Sequence, residues 1–278
     1  MKNEAPRAKA RGFSERNTER PRMYKFLILS AAVLLLLIFI TFFLKPVYKQ
    51  EARRPAPSAV KGLIAIVIDD WGYHLNNLEI IGQIKQPLTC AVLPGLKNTQ
   101  LVAQKLHKLG FEVILHLPMQ PKEKYKLEKD TITIDMGQEQ IRSILKRDLA
   151  SVIFAKGVSN HMGSRITENL NSSTMVMLEI KKRNLYFLDS FVTAKSICAL
   201  LARKMSLRFA KRDVFLDNRD DPEYIRRQIN ALKNFARVRG RAIGIGHDRR
   251  NTLLILKEML PQLQKEGYKF VFVSEMTR

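Results

Sequence analysis

Apolar residues in this chain fall into short runs that alternate with longer stretches of helical spacing. From Gly62 onward, Leu63–Ile68, Leu88–Leu93, Phe111–Leu115, Gly157–Asn160, Leu185–Leu188, Ala242–Ile245 and Phe270–Val273 read as buried strands. Leu207–Phe209 and Val214–Leu216 are weaker candidates. Between the runs, helices are predicted over Asn77–Ile84, Asn98–Leu109, Gln138–Phe154, Lys195–Met205, Pro222–Arg239 and Thr252–Glu266. One more, capped by Asn171 or Ser172, runs to Lys182. Residues 118–137 form a polar excursion with proline and lysine. Strand and helix alternation predicts parallel strands with crossover helices outside, and seven or eight strands suit a barrel or near-barrel. No internal repeat or glycine-rich phosphate loop is present, which disfavours a nucleotide fold.

The first apolar stretch is different in kind. Phe26–Leu44 holds 19 residues without a charge, the length of one membrane-spanning helix, and Lys45-Pro46-Val47 follows where a cleavage site would need small residues. It reads as an uncleaved transmembrane signal anchor. Eight Lys/Arg against three Glu precede it, so residues 1–25 are expected to be a basic cytoplasmic tail. Residues 45–61 are then a linker, and residues 62–278 an exported domain, periplasmic in a Gram-negative cell or otherwise extracellular.

The formal charge is +22, of which +8 lies on residues 1–60 and +14 on the exported part. That balance favours an anionic partner, a lipid or glycan surface, unless it is only a solvated basic surface. No nucleic-acid motif accompanies it, so no nucleic acid is expected. Cys90 and Cys198 lie more than a hundred residues apart with no C-x-x-C, and are expected to be separate buried thiols.

Candidate chemistry collects where the apolar runs end. Asp69-Asp70 closes IAIVIDD, so one carboxylate can hold a cation while the other moves a proton; as an isolated pair it would read as a cap or loop. His116 follows Val113–Leu115, and alone would read as a core histidine. His161 lies in SNHMGSR among small polar residues that let a ligand approach. An aspartate and two histidines make a mixed O/N set suited to zinc or another divalent first-row metal, with positions left open for water. His247 closes GRAIGIGH and is a candidate general acid. Arg165 could steady Asp69, or be a surface arginine. Asp189, Ser190, Asp217 and Asn218 either line the cleft or form turns. His107 reads as surface, and His74 is undecided.

Taken in order, IVIDDWG, LHLPMQP, NHMGSR, FLDS, RDVFLDN and AIGIGH resemble the divergent polysaccharide deacetylase family of NodB-like carbohydrate esterases, over about residues 62–276. The resemblance implies a distorted (β/α) barrel, which agrees with the α/β reading of seven or eight mostly parallel strands preceded by one transmembrane helix. It also implies metal-dependent removal of acetyl groups from an acetylated envelope glycan. Motif by motif it makes Asp69 the general base, Asp70 and His116 metal ligands and His247 the catalytic histidine. The family's usual H-[ST]-x-x-H is here HLPMQ, with one histidine, so His161 would have to supply the second from another strand. The usual arginine-proline motif is also replaced, by NHMGSR. A catalytically inert barrel that binds glycan or a protein partner is the alternative.

Overall fold

The structure, a computed structural model, describes residues 20–43 and 60–278. These fall in two compact units divided between Ala56 and Pro57. The first holds α1 (Arg20–Phe43), whose Met23–Phe43 stretch is long and apolar enough to cross a membrane (mean hydropathy 3.0). The expected tail up to Glu19, and Leu44 with the linker as far as Ala59, lie outside the described residues.

The second unit runs β1 (Gly62–Trp71), α2 (Leu78–Ile81), β2 (Thr89–Val92), α3 (Thr99–Lys108), β3 (Glu112–Met119), α4 (Gln138–Ser151), β4 (Gly157–Met162), α5 (Ser164–Thr167) and α6 (Leu170–Lys182). It continues through β5 (Tyr186–Asp189), α7 (Cys198–Met205), β6 (Phe209–Lys211), β7 (Val214–Phe215), α8 (Pro222–Arg239), β8 (Arg241–His247), α9 (Arg250–Lys265) and β9 (Tyr268–Phe270). All pairings are parallel, in the order β6-β5-β4-β3-β2-β1-β8-β7. The result is a curled, incompletely closed (β/α) barrel of the NodB-like kind, open between β6 and β7.

Alternation along each strand sorts the residues into two layers. Ile64, Ile66 and Ile68 of β1, with Leu115 and Leu117 of β3, face the helices and pack on Ile141, Ile180 and Leu256. Ala65 and Val67, Ile114, Leu188, Ile243 and Ile245 fill the concave interior. Small residues keep that interior narrow: a Cβ on Gly157 would meet the Tyr186 ring at 2.5 Å. Continuing each inward row toward the strands' C-terminal ends leads to Asp69, His116, His161 and His247.

Among the described residues nine strands are found where seven or eight were expected, because the weak candidates form the two- and three-residue strands β7 and β6. The last strand is also displaced, to Tyr268–Phe270. Beyond it the chain turns beneath the barrel. Val273 N–H donates to Thr89 Oγ1 (3.1 Å), Ser274 N–H to Glu112 Oε1 (3.2 Å), and Arg278 exchanges backbone hydrogen bonds with Phe209. The α6 cap is Asn169 rather than Asn171 or Ser172, since its side chain accepts from Ser172 N–H and so fills one of the helix's free donors. The excursion after β3 folds back, with Gln120 and Ile132 N–H groups bonding across to Ile132 and Pro118 carbonyls. Cys90 and Cys198 are buried, unpaired thiols, and burial pushes Cys198 up to about 12.

Candidate metal and catalytic site

Adjacent residues on a regular strand face opposite sides, so Asp69 and Asp70 could not both reach the interior. A bulge resolves this. The β1–β2 register shifts between Ile68 and Trp71, and Asp70 takes the left-handed conformation at φ 65°, which aspartate tolerates better than most residues. Asp70 Oδ1 then lies 3.3 Å from His116 Nε2 and 3.0 Å from His161 Nδ1, while Asp69 Oδ2 is 3.6 Å from His116 Nε2.

The two histidines come from neighbouring strands. His161 pairs in register with Pro118, two residues past His116, and the imidazoles meet edge-on with centroids 5.0 Å apart. Ser159 Oγ is hydrogen-bonded to His116 Nδ1 at 2.7 Å, which leaves Nε2 turned to the carboxylates. Ligand atoms of Asp70, His116 and His161 all lie within 4.8 Å of one another. Asp69 Oδ1 and Asp70 Oδ1 are buried yet accept no hydrogen bond of proper direction. Buried carboxylate oxygens left in this state, facing two imidazole nitrogens, fit a first-row metal with mixed O/N ligands.

The two carboxylates differ in proton affinity. Burial raises Asp69, more than its neighbouring histidines lower it. Burial also acts on Asp70, but contact with His116 and His161 outweighs it and holds Asp70 far below the usual carboxylate range. For His116, burial works against protonation and the Asp69 and Asp70 carboxylates overcome it.

His247 faces Asp69 across the β1–β8 register. Its Nδ1–H donates to Asp217 Oδ1 at 2.7 Å, while Asp217 Oδ2 accepts from His247 N–H (2.8 Å) and Thr252 Oγ1 (2.6 Å). Gly246 permits that approach, since a Cβ there would meet Thr252 Cγ2 at 2.8 Å. Burial lowers the proton affinity of His247, but Asp217 outweighs it and the net shift is upward. Phe215 stacks on the imidazole and the Arg212 guanidinium covers Phe215 at 3.6 Å. Arg212 donates to the Ser190 and Phe191 carbonyls at 2.7 Å each, and burial lowers it to about 10.

Asp69, Asp70, His116, His161 and His247 are thus brought together. Arg165 is not: it is exposed and, among the described residues, forms no ion pair with Asp69. Arg212, which the sequence reading missed, is the arginine near this end of the barrel, its charge supported by Asp189 and Asp213 and more weakly by Asp69. Asp189 is buried and satisfied within its own turn, accepting from Phe191 N–H and Ser196 Oγ. Ser190 N–H donates to Asn160 Oδ1, leaving the serine hydroxyl buried without a partner. Asn218 and His74 are exposed, and His107 stacks on Phe154. Ser159 was also missed, although it lies two residues before His161 and therefore on the same face.

A model of the family described as divergent polysaccharide deacetylase matches residues 66–277. The Escherichia coli (strain K12) protein YibQ is 37% identical over 202 residues, which is 73% of this chain and 63% of YibQ. Among solved structures, a protein of Agrobacterium tumefaciens C58 superposes with a TM-score of 0.74 at 24% identity, covering 80% of this chain and 92% of that one. A family 4 carbohydrate esterase from Streptomyces lividans, in complex with acetate, gives a TM-score of 0.50 at 15% identity, covering 76% and 93%. The two structural likenesses speak for the fold. The family match over most of the barrel shows that this chain belongs to the divergent polysaccharide deacetylase family.

Proposed function

We propose that this chain is a metal-dependent hydrolase of the cell envelope that removes acetyl groups from a glycan. The observation that carries the reading is the pair of buried, unsatisfied carboxylate oxygens of Asp69 and Asp70 beside two imidazoles, with a third imidazole opposite. Asp70, His116 and His161 would hold the metal, and this donor set suits zinc. When bound, such a metal supplies Lewis acidity, polarising an acetyl carbonyl and acidifying water. Asp69, kept apart from that set and raised by burial, is placed to take a proton from water. His247, locked by Asp217 and raised in proton affinity, is placed to give one to the leaving amine or alcohol. The likeness to the Streptomyces esterase bound to acetate supports the acetyl group as the part removed.

His161 beside Pro118 supports the active reading over an inert binding barrel, because it offers from β4 the imidazole that HLPMQ lacks. The apolar helix α1 is read as a signal anchor, basic end inside, holding the barrel on the outer face of the cytoplasmic membrane near its substrate.

The test uses the full chain in detergent, with metal measured by elemental analysis and acetate release measured on N- and O-acetylated glycan fragments. About one zinc per chain is expected, lost in Asp70→Ala and His116→Ala together with acetate release. A folded wild-type chain that takes up no metal when zinc is supplied would overturn the reading.

A further inference from the structure

At the end of the barrel away from the histidines, the open seam leads to a second feature. β6 and β7 are separated only by Arg212 and Asp213 in sequence, yet they end opposite arms of the sheet and do not pair. Beside that turn lies a cavity of about 720 Å³. Ile243 and Met276 make part of its floor and are buried and apolar. Its rim carries six cations: Arg203, Arg208, Lys211, Arg239, Arg241 and Arg278.

These cations are poorly balanced. Among the described residues Asp213 is the one acidic side chain lining the cavity, and it is already engaged by Arg239 at 3.2 Å and by Ile243 N–H at 2.9 Å. Among the described residues, Arg208 and Arg241 donate to neutral carbonyls, of Asn184 and Met276. Arg203 and Arg278 have no carboxylate within ion-pair distance among the described residues. Cations in the last turn of a helix are ordinary, because they complement its dipole, and that covers Arg203 and Arg239. It does not extend to Arg208, Lys211, Arg241 and Arg278, which lie on strands and connections. Burial lowers the proton affinity of Arg241, and repulsion from Arg278 lowers it further. A lining of this sign suits an anion.

Two observations choose its kind. The floor is apolar, and Val238, between Arg237 and Arg239, is 75% exposed, the most exposed large apolar side chain among the described residues of the barrel unit. The chain also enters the barrel at this end, at Gly62, within twenty residues of an apolar helix of membrane-spanning length. We propose that the cleft binds an anionic phospholipid, its phosphate on the arginine rim and an acyl chain along the floor. This rests on the membrane-anchored part of the function proposed above, and it does not require that the barrel be active.

The full chain in maltoside micelles would be titrated with soluble dihexanoyl phosphatidylglycerol, with bound lipid counted by native mass spectrometry. Hydrogen exchange of Phe209–Lys211 and Arg241–Ile243 would report where it binds. Parallel titrations would use dihexanoyl phosphatidylcholine, inorganic phosphate and an acidic oligosaccharide. Phosphatidylglycerol should bind about tenfold more tightly than phosphatidylcholine and protect both segments. The Arg203→Gln/Arg208→Gln/Arg278→Gln variant, all exposed positions, should weaken binding about tenfold and abolish the protection, with metal content and acetate release unchanged. Equal binding of phosphatidylcholine, phosphate or the oligosaccharide would overturn the proposal, as would binding that the triple variant leaves intact. Metal content read on the same samples separates failure here from failure of the hydrolase reading.

Discussion

Two polar clusters are buried in one barrel, joined through β3, and they end in opposite states. At the lower end Glu112 Oε1 accepts from Thr89 Oγ1 (2.8 Å), the Tyr186 hydroxyl (2.9 Å) and Ser274 N–H (3.2 Å). Four residues along β3, at the upper end, His116 meets two aspartates whose Oδ1 atoms accept no hydrogen bond of proper direction. A carboxylate that finds several donors inside the protein is part of the scaffold. Asp69, buried with no donor at its Oδ1, is under a desolvation cost that a metal or a proton would relieve, whereas its neighbour Asp70 is held as the anion by two imidazole contacts. Burial alone therefore does not separate structure from function in this barrel; the completeness of the hydrogen bonding does.

Substitutions can break that contrast. The largest effect is expected at the upper end: Asp69→Asn should lower acetate release by about 10²–10⁴-fold while zinc content stays at wild type. Asp217→Asn should reduce turnover by about 10²-fold and also move its pH profile. The Asp217 carboxylate raises the proton affinity of His247, so an acid that must be protonated works up to a higher pH with Asp217 than without it. The basic limb of the profile should therefore shift to lower pH in the variant, and an unmoved limb would remove His247 from the acid role. At the lower end the readout changes to stability. Gly157→Ala drives a methyl into the Tyr186 ring and should cost about 1–3 kcal/mol in denaturant unfolding, with metal content per folded chain unchanged. Glu112→Gln is the mildest: the amide oxygen still accepts, so only charge assistance is lost, about 1 kcal/mol in the same assay.

Much of the fold could be read before any coordinates. Pro222–Arg239 emerged at its observed bounds because Pro222 and Gly240 mark both ends: Asp221 caps the first turn by accepting from Tyr224 N–H, and Gly240 takes φ 75°. Strands lost definition where they were shortest, and β6 and β7 carry too few residues to show a period. In the candidate site, the acids and histidines stood out because each closes an apolar run. Their supports did not. Ser159 and Arg212 are common residue types whose roles come from register between strands distant in sequence, and Asp217 looked like a turn residue until β7 and β8 aligned it with His247. Arg165, a candidate partner for Asp69 or a surface arginine, lies past the end of β4, where strand register no longer sets its direction, and it is exposed.

The bulge at Asp70 makes position 70 answer to two demands at once. Its backbone, at φ 65°, admits glycine and asparagine readily, and β-branched residues at a cost in strain. Its side chain, if it serves as a ligand, must be an anionic oxygen at one fixed reach. Glycine and asparagine satisfy the first demand and fail the second, while glutamate offers the charge on a longer arm and a less tolerant backbone. A saturation library at this codon would therefore separate along two axes, expression and metal retention, and aspartate alone should score high on both.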